Sequence, residues 1–172
     1  MSLRVLRLCA AVLPIAGCAP LLGELLVSTP NRFNPFVQTG RLAPPARQVL
    51  GVDQQFRVPV DSATAELAVS VVEPRPAGSP KGTVLVLHGI WARSFWMLGT
   101  AQMLAEAGYR AVLVDLRGHG RSTGDFLTFG PGEARDLSQV IDDLDRRNLI
   151  SGRLGVYGIS YGATTSIHLA AI

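Results

Sequence analysis

The chain has 172 residues, of which 48% are hydrophobic and 17% are charged, and this length supports one domain. The chain has 16 basic and 13 acidic residues. Without Arg4 and Arg7 of the leading segment the counts are 14 and 13, so the rest of the chain is nearly neutral. This net charge gives no case for nucleic acid binding. The two cysteines and three histidines have no zinc-ligand spacing, and we expect neither a metal nor a cofactor.

The first residues of the chain have the pattern of an export signal. Arg4 and Arg7 give a positive start, and the apolar stretch from Leu8 to Ala16 follows. The uncharged stretch ends at Gly23, contains two prolines, and is shorter than the about 20 apolar residues that a membrane-spanning helix needs. We therefore predict a signal peptide over residues 1–17, with a membrane span as the weaker alternative.

This segment closes with Ile15-Ala16-Gly17-Cys18, which resembles the lipobox of bacterial lipoproteins. The resemblance implies cleavage after Gly17 and lipid on the sulfur of Cys18, with an ordinary secretory signal as the alternative. It also implies a protein of the bacterial cell envelope that is anchored to the membrane by its lipid and faces the periplasm or the exterior. Ala19, rather than aspartate, after the lipidated cysteine implies the outer membrane in a host that has one.

Residues 18–51 are interpreted as the lipidated N-terminus and a tether, because prolines recur along this stretch. Its apolar residues are too many for a purely flexible linker, which leaves open a short helix packed on the domain or on the membrane. Residues 52–172 form the domain. At its start, Gln55–Val60 and Glu66–Val72 alternate apolar and polar residues around a turn, a pattern that predicts an antiparallel hairpin.

Buried strands and helices alternate after this hairpin. Thr83–Leu87 and Ala111–Asp115 are continuous apolar runs, typical of parallel strands that are covered on both faces. Helices are predicted over Ser94 to Ala107 and about Gly132 to Asn148. The second has one apolar face, and the first has apolar residues at roughly helical spacing, namely Phe95, Leu98, Met103 and Leu104. The alternation predicts an α/β fold with a mostly parallel sheet and helices on both faces.

The most informative motif is Gly158-Ile159-Ser160-Tyr161-Gly162, which follows the apolar run Leu154 to Tyr157. It places Ser160 at a sharp turn between a buried strand and a helix. A serine held in this strained conformation needs small residues two positions before and after it, and the two glycines meet that need. The first N–H groups of the new helix would face whatever the serine attacks.

Three motifs in this order make the chain similar to the α/β-hydrolase family over about residues 52–172. They are Val86-Leu87-His88-Gly89, the run from Asp115 to Ser122, and the turn around Ser160. The resemblance implies that Ser160 is the nucleophile and that the backbone N–H groups of Ile90 and Tyr161 form the oxyanion hole. Trp91 is the alternative donor from its loop.

Other chemistry-bearing residues have structural interpretations. His88, His119 and Asp115 are expected to order loops. The glycines at 118, 120 and 124 do not fit a dinucleotide-binding fingerprint, because Thr123 stands where its third glycine would fall. Three aspartates of the second helix are expected on its solvated face, namely Asp142, Asp143 and Asp145.

A general base for the serine is not found in the sequence. In this family the acid and the histidine of the triad follow the serine, but the twelve residues after Ser160 hold no carboxylate and only His168. Eight helical residues place His168 roughly 12 Å along the axis, too far for a base. We expect that the C-terminal half of the fold is missing, that the domain is partial, and that the chain is inactive by itself.

The resemblance implies a serine hydrolase that cleaves an ester, amide or thioester of a small-molecule or acyl substrate through an acyl-serine intermediate. The alternative is a non-catalytic, membrane-anchored module that uses the same fold for binding.

Overall fold

The computed structural model describes residues 23–24, 26–33, 51–61, 64–75 and 78–172. The predicted signal peptide, Cys18 and most of the predicted tether lie outside these residues. Within the described ranges, no helix has both the length and the apolar character that crossing a membrane requires.

The centre of the fold is a five-stranded sheet of β1 (Gln54–Val60), β2 (Ala65–Val72), β3 (Gly82–Leu87), β4 (Arg110–Val114) and β5 (Arg153–Gly158). Their spatial order is β1-β2-β4-β3-β5. β2 is antiparallel to β1 and β4, whereas β3 is parallel to β4 and β5, so four of the five strands run in one direction. The predicted hairpin and the mostly parallel sheet are therefore confirmed.

Three α-helices cover the two faces of the sheet: α1 (Leu98–Glu106), α2 (Pro131–Arg146) and α3 (Tyr161–Leu169). Successive side chains of a strand point to opposite faces. Accordingly, Leu85 and Leu87 share a core with the buried residues of α2, whereas Val86 packs in a second core with Ala101 and Ala105 of α1. Both faces are covered, as the alternation of strands and helices predicts.

The helix after β3 packs differently from the expectation. It begins as a 3-10 helix over Ser94–Met97, with about three residues per turn, before α1 continues it. Leu98 and Leu104 pack against the core as the spacing suggests, but Phe95 and Met103 are exposed. The fully buried residues of α1 are the small Ala101 and Ala105, which belong to the second core and let the helix lie close to the sheet.

A short N-terminal segment is bound to the loop that follows β4. Ser28 pairs with Phe126 in an isolated antiparallel bridge, and a 3-10 helix follows over Pro30–Phe33. The Thr29 hydroxyl donates to the Gly124 carbonyl at 2.8 Å, and the Asn31 side-chain amide donates to the carbonyls of residues 120 and 122. This part of residues 18–51 therefore packs on the domain.

Candidate active site

Ser160 lies between the end of β5 and the start of α3, where the sequence places it. Its backbone has φ 51° and ψ −114°, a left-handed conformation that is unusual for a residue with a side chain. The residue is exposed at the edge of the sheet where the parallel strands end. Ligands of open α/β sheets bind at this edge, so the turn presents the serine where a substrate can reach it.

The two glycines around Ser160 are required by close backbone contacts. A Cβ on Gly158 would collide with the carbonyl group of Gly162 and lie 2.7 Å from the backbone nitrogen of Ala163. A Cβ on Gly162 would lie 2.7 Å from the carbonyl oxygen of His88, and it would also overlap Leu87. The turn can therefore form only if both positions lack a side chain.

The loop after β3 passes Ser160 next to the start of α3. A Cβ on Gly89, in the loop after β3, would lie 3.6 Å from the Ser160 Cβ, so this loop runs directly past the serine. The loop turns at Trp91, which has φ 61°, and closes with a hydrogen bond from the Ala92 N–H to the Gly89 carbonyl. No described residue accepts a hydrogen bond from the N–H groups of Ile90, Trp91 or Tyr161. The structure therefore leaves both Ile90 and Trp91 open as the predicted donor from this loop.

His88 ties this loop to the loop after β4. Its side chain is fully buried, its Nδ1 donates to the Gly89 carbonyl at 2.7 Å, and its Nε2 accepts from the Leu116 N–H at 3.0 Å. Burial lowers its pKa, which keeps the ring neutral and its two nitrogens in these roles. His88 therefore orders loops, in agreement with the interpretation of the sequence.

Asp115 has the same kind of role at the end of β4. One carboxylate oxygen accepts from the Ser94 N–H at 2.6 Å and the other accepts from the Arg121 N–H at 3.1 Å. Gly120 has φ 53°, and a Cβ there would lie 2.5 Å from this carboxylate. The glycines of this loop are thus used for close packing around Asp115, which agrees with the loop-ordering interpretation.

A buried polar cluster lies behind the serine. The ring of His119 is 5.1 Å from that of His88 and 5.7 Å from that of Tyr161. The His119 Nδ1 donates to the Arg117 carbonyl, whereas its Nε2 has no hydrogen-bond partner among the described residues, and the Tyr161 hydroxyl lies near the Glu133 carboxylate without a hydrogen bond of good geometry. Burial lowers the pKa of His119 to about 4 and raises the pKa of Tyr161. Both side chains are therefore uncharged at neutral pH and pack against the start of α3.

Glu133 supports this cluster and was not singled out in the sequence. Its buried carboxylate accepts from the N–H groups of Thr128 and Gly130, each at 2.8 Å, and from the Thr128 hydroxyl. Although burial opposes ionisation, these hydrogen bonds together lower its pKa. They hold Phe129 at φ 57°, with its ring edge-on to Tyr161 at 5.8 Å. A glutamate at the third position of a helix that begins with proline is a helix-capping pattern, and this pattern could have indicated Glu133 from the sequence.

Arg117 and Asp136 form a second arrangement that the sequence did not reveal. The Arg117 Nε and a terminal nitrogen each donate to one oxygen of Asp136, both at 2.7 Å. Burial raises the pKa of Asp136 although the arginine opposes this, and the hydrogen bonds to Asp136 raise the pKa of Arg117. This pair joins the loop after β4 to α2, beside the buried cluster.

None of the three histidines of the chain donates to or accepts from the Ser160 hydroxyl. His168 lies far along α3, with its ring against Gly130 at the start of α2. Asp142 and Asp145 are exposed, and Asp143 pairs with Arg146 and Arg147 on the surface. Among the described residues, no group of three or more His, Cys, Asp or Glu is arranged to hold a metal ion.

The sheet order and the strained serine turn are those of the α/β-hydrolase fold. The sequence profile of the X-Pro dipeptidyl-peptidase (S15) family matches residues 61–172, and the chain belongs to this family.

Two solved structures have similar folds. An α/β serine hydrolase homologue from Coxiella burnetii aligns with a TM-score of 0.59 at 21% identity, covering 71% of this chain and 59% of that one. The Pyrococcus furiosus esterase Pf2001 aligns with a TM-score of 0.59 at 26% identity, covering 67% of this chain and 45% of that one.

Curated relatives match a shorter stretch. The uncharacterized protein YqkD of Bacillus subtilis is 28% identical over 85 residues, which are 49% of this chain and 28% of YqkD. The human candidate protein-lysine deacylase ABHD14B is 50% identical over 74 residues, which are 40% of this chain and 35% of that protein. The chain thus matches about a third of the length of these relatives.

Proposed function

We propose that Ser160 is the nucleophile of a serine hydrolase that cleaves an ester, amide or thioester. The observation that carries this proposal is the exposed serine at φ 51°, with the unpaired N–H groups of Ile90 or Trp91 and of Tyr161 beside it. The strained turn exposes the hydroxyl, and these N–H groups would stabilise the oxyanion of a tetrahedral intermediate.

The reaction follows from the positions of these groups. The Ser160 oxygen attacks the substrate carbonyl carbon while a general base removes the hydroxyl proton. The carbonyl oxygen becomes an oxyanion that accepts from the N–H groups of Tyr161 and of Ile90 or Trp91. The intermediate then expels the alcohol, amine or thiol, which takes the proton from the base and leaves an acyl-Ser160. Water, activated by the same base, hydrolyses this ester and restores the serine.

The names of the relatives support acyl transfer. A peptidase and a lysine deacylase cleave amide bonds, and an esterase cleaves ester bonds, so all three act at an acyl carbon. We propose the same bond class for this chain, acting on a small-molecule or acyl substrate.

The general base is not among the residues described. Both ring nitrogens of His88 are engaged, His119 is buried on the ring of Tyr161, and His168 packs on α2. We therefore propose that the base and its carboxylate come from residues outside these 172, and that the 172-residue chain alone is inactive.

Labelling with a fluorophosphonate probe tests both parts of the proposal. The 172-residue chain should react no faster than its Ser160→Ala variant, and the same should hold for hydrolysis of p-nitrophenyl acetate. A longer protein, extended by downstream coding sequence that supplies a carboxylate and then a histidine, should react with the probe and hydrolyse p-nitrophenyl acetate. Ser160→Ala should abolish that reaction, and Ser166→Ala, which removes a hydroxyl from the same helix, should leave it intact.

Other outcomes are decisive. Rapid Ser160-dependent turnover by the 172-residue chain would show that a base exists within it. Labelling of the longer form that survives Ser160→Ala would refute Ser160 as the nucleophile. If no downstream sequence encodes an acid and a histidine, the lack of a hydrogen bond between any of the three histidines and the Ser160 hydroxyl favours the second candidate, a non-catalytic module with an α/β-hydrolase fold.

We further propose that residues 1–17 are cleaved as a signal and that Cys18 carries acyl chains that anchor residues 18–51 to a bacterial envelope membrane, the outer membrane where there is one. The support is the sequence pattern that ends in Ile15-Ala16-Gly17-Cys18. Two or more acyl chains hold a protein firmly on a membrane, whereas one is marginal. Intact-mass analysis of detergent-extracted protein should show cleavage after Gly17 plus acyl mass, and Cys18→Ser should lack that mass. An unmodified Cys18 would overturn the anchor.

A further inference from the structure

Exposed aromatic side chains gather at the edge of the sheet that carries Ser160. The loop after β3 and the 3-10 helix that follows it hold one group, and the loop after β4 holds the other. Because β3, β4 and β5 are parallel, the residues that follow them lie at the same edge as Ser160. We call this set the aromatic edge; its members are Trp91, Phe95, Trp96, Phe126 and Phe129.

The exposure of these residues is unusual. Trp91 and Trp96 are 59% and 65% exposed, and they are the two tryptophans of the chain. Large aromatic residues are normally well buried in soluble domains, and contiguous exposed apolar patches mark sites of interaction. Tryptophan in particular favours the boundary between water and lipid, where its ring is in an apolar region and its N–H remains hydrated.

Charged residues around the aromatic edge suit a lipid headgroup layer. Arg93 is exposed between the two tryptophans in sequence. The guanidinium of Arg32 lies 5.1 Å from the ring centre of Phe126 and pairs with Glu24 at 2.6 Å. Asp125 is the exposed acidic residue beside Phe126, so the edge carries both signs of charge rather than a strongly basic patch. Aromatic insertion, rather than net charge, would then supply most of the binding.

The N-terminal segment approaches the domain at this same edge. The carbonyl of Val27 accepts from the Leu127 N–H, and Ser28 pairs with Phe126. Leu26, which is 64% exposed, lies eight positions after Cys18, a span of at most about 29 Å even for a fully extended chain. Lipid on Cys18, as proposed above, would therefore hold the start of this segment, and with it the aromatic edge, within that distance of the membrane surface.

We propose that the aromatic edge binds the surface of a phospholipid bilayer, with Trp91 and Trp96 in the interfacial layer and Ser160 facing the membrane. No step of this proposal depends on the hydrolase activity, because binding is measured without turnover. The other occupants of such a surface, a second copy of the chain or a soluble apolar ligand, are outcomes of the test below.

The two tryptophans make the test direct, since all tryptophan fluorescence comes from the aromatic edge. The full chain with Cys18→Ser, which cannot be acylated, is mixed with vesicles of phosphatidylcholine containing some phosphatidylglycerol. We expect a blue shift of the emission and strong quenching when the acyl chains of the vesicle lipids are brominated. We expect neither change when the vesicles are omitted.

A matched pair of variants separates the aromatic edge from other apolar parts of the chain. Residues 1–17 are themselves apolar and can bind vesicles, so the decisive comparison is Trp96→Ser against Met103→Ser. Both residues are exposed, and Met103 projects from α1 away from the sheet. Burial of a large apolar side chain is worth roughly a tenfold change in binding or more, so Trp96→Ser should weaken vesicle co-sedimentation by that factor and Met103→Ser should not.

Three results would overturn the proposal. The first is equal vesicle binding by the Trp96→Ser and Met103→Ser variants while circular dichroism shows both folded. The second is vesicle binding without quenching by brominated lipid. The third is a blue shift that follows protein concentration rather than lipid, with a dimer in sedimentation velocity, which would assign the aromatic edge to a second copy of the chain.

Discussion

Gly158→Ala should destabilise the protein through a purely steric effect at the serine turn. The backbone of Gly158 is not in the left-handed region, so alanine is not disfavoured there by conformation. Its Cβ would instead collide with the carbonyl group of Gly162 and with the nitrogen of Ala163. All of these are backbone atoms of the first turn of α3, which cannot rotate away as a side chain could. Overpacking of this kind costs about 1–3 kcal/mol, and each kcal/mol lowers the melting temperature by roughly 2–4 °C for a chain of this size.

Gly155→Ala is the matched control in the same strand. A Cβ there would meet only a methyl group of Val84 at 3.9 Å, an ordinary contact. Alanine also loses less conformational entropy on folding than glycine, so this variant should be neutral or slightly stabilised. Thermal unfolding followed by circular dichroism measures both variants against the unchanged chain. If the Gly158→Ala and Gly155→Ala variants have the same melting temperature, these contacts do not require glycine at position 158 and our account of the turn is wrong.

Two further predictions concern the buried polar groups. His119 has a folded pKa of about 4 against an ordinary 6.5, so the unfolded chain binds its proton first and stability falls as the pH drops through this range. Urea unfolding should show that the free energy of unfolding falls by roughly 3 kcal/mol over this pH range because of His119. If the His119→Phe variant loses just as much stability over the same range, the His119 ring is not the cause. Arg117→Met leaves Asp136 buried without its partner and should cost about 3–5 kcal/mol in the same assay. Adding Asp136→Leu should recover most of that cost; no recovery would show that the ion pair is not the cause.

Short-range patterns in the sequence determined the strands, the hairpin and the serine turn. Thr83–Leu87 is apolar throughout because β3 is covered on both faces, and such a run is readable without knowing its neighbours. The glycines two positions before and after Ser160 likewise indicated its strained backbone. The close contacts of Gly158 are with Gly162 and Ala163, near it in sequence, whereas those of Gly162 with Leu87 and His88 became known only from the fold. Asp115 is assigned to loop ordering because it stands at the end of a predicted strand, and His88 because it does not have the position of a triad histidine in the family that the chain resembles.

Only the tertiary structure decided contacts between residues far apart in sequence. Thr29 and Asn31 form hydrogen bonds with a loop about 90 residues later, and Arg117 in the loop after β4 pairs with Asp136 of α2. The inward face of α1 was also decided by packing, since the sheet accepts Ala101 and Ala105 closely and leaves Met103 outside. The spacing of apolar residues indicates which of them share a face of a helix. Whether that face is buried depends on the surface that the fold packs against it. For the same reason, the sequence identified Ser160, but the position of each histidine relative to it became known only from the fold.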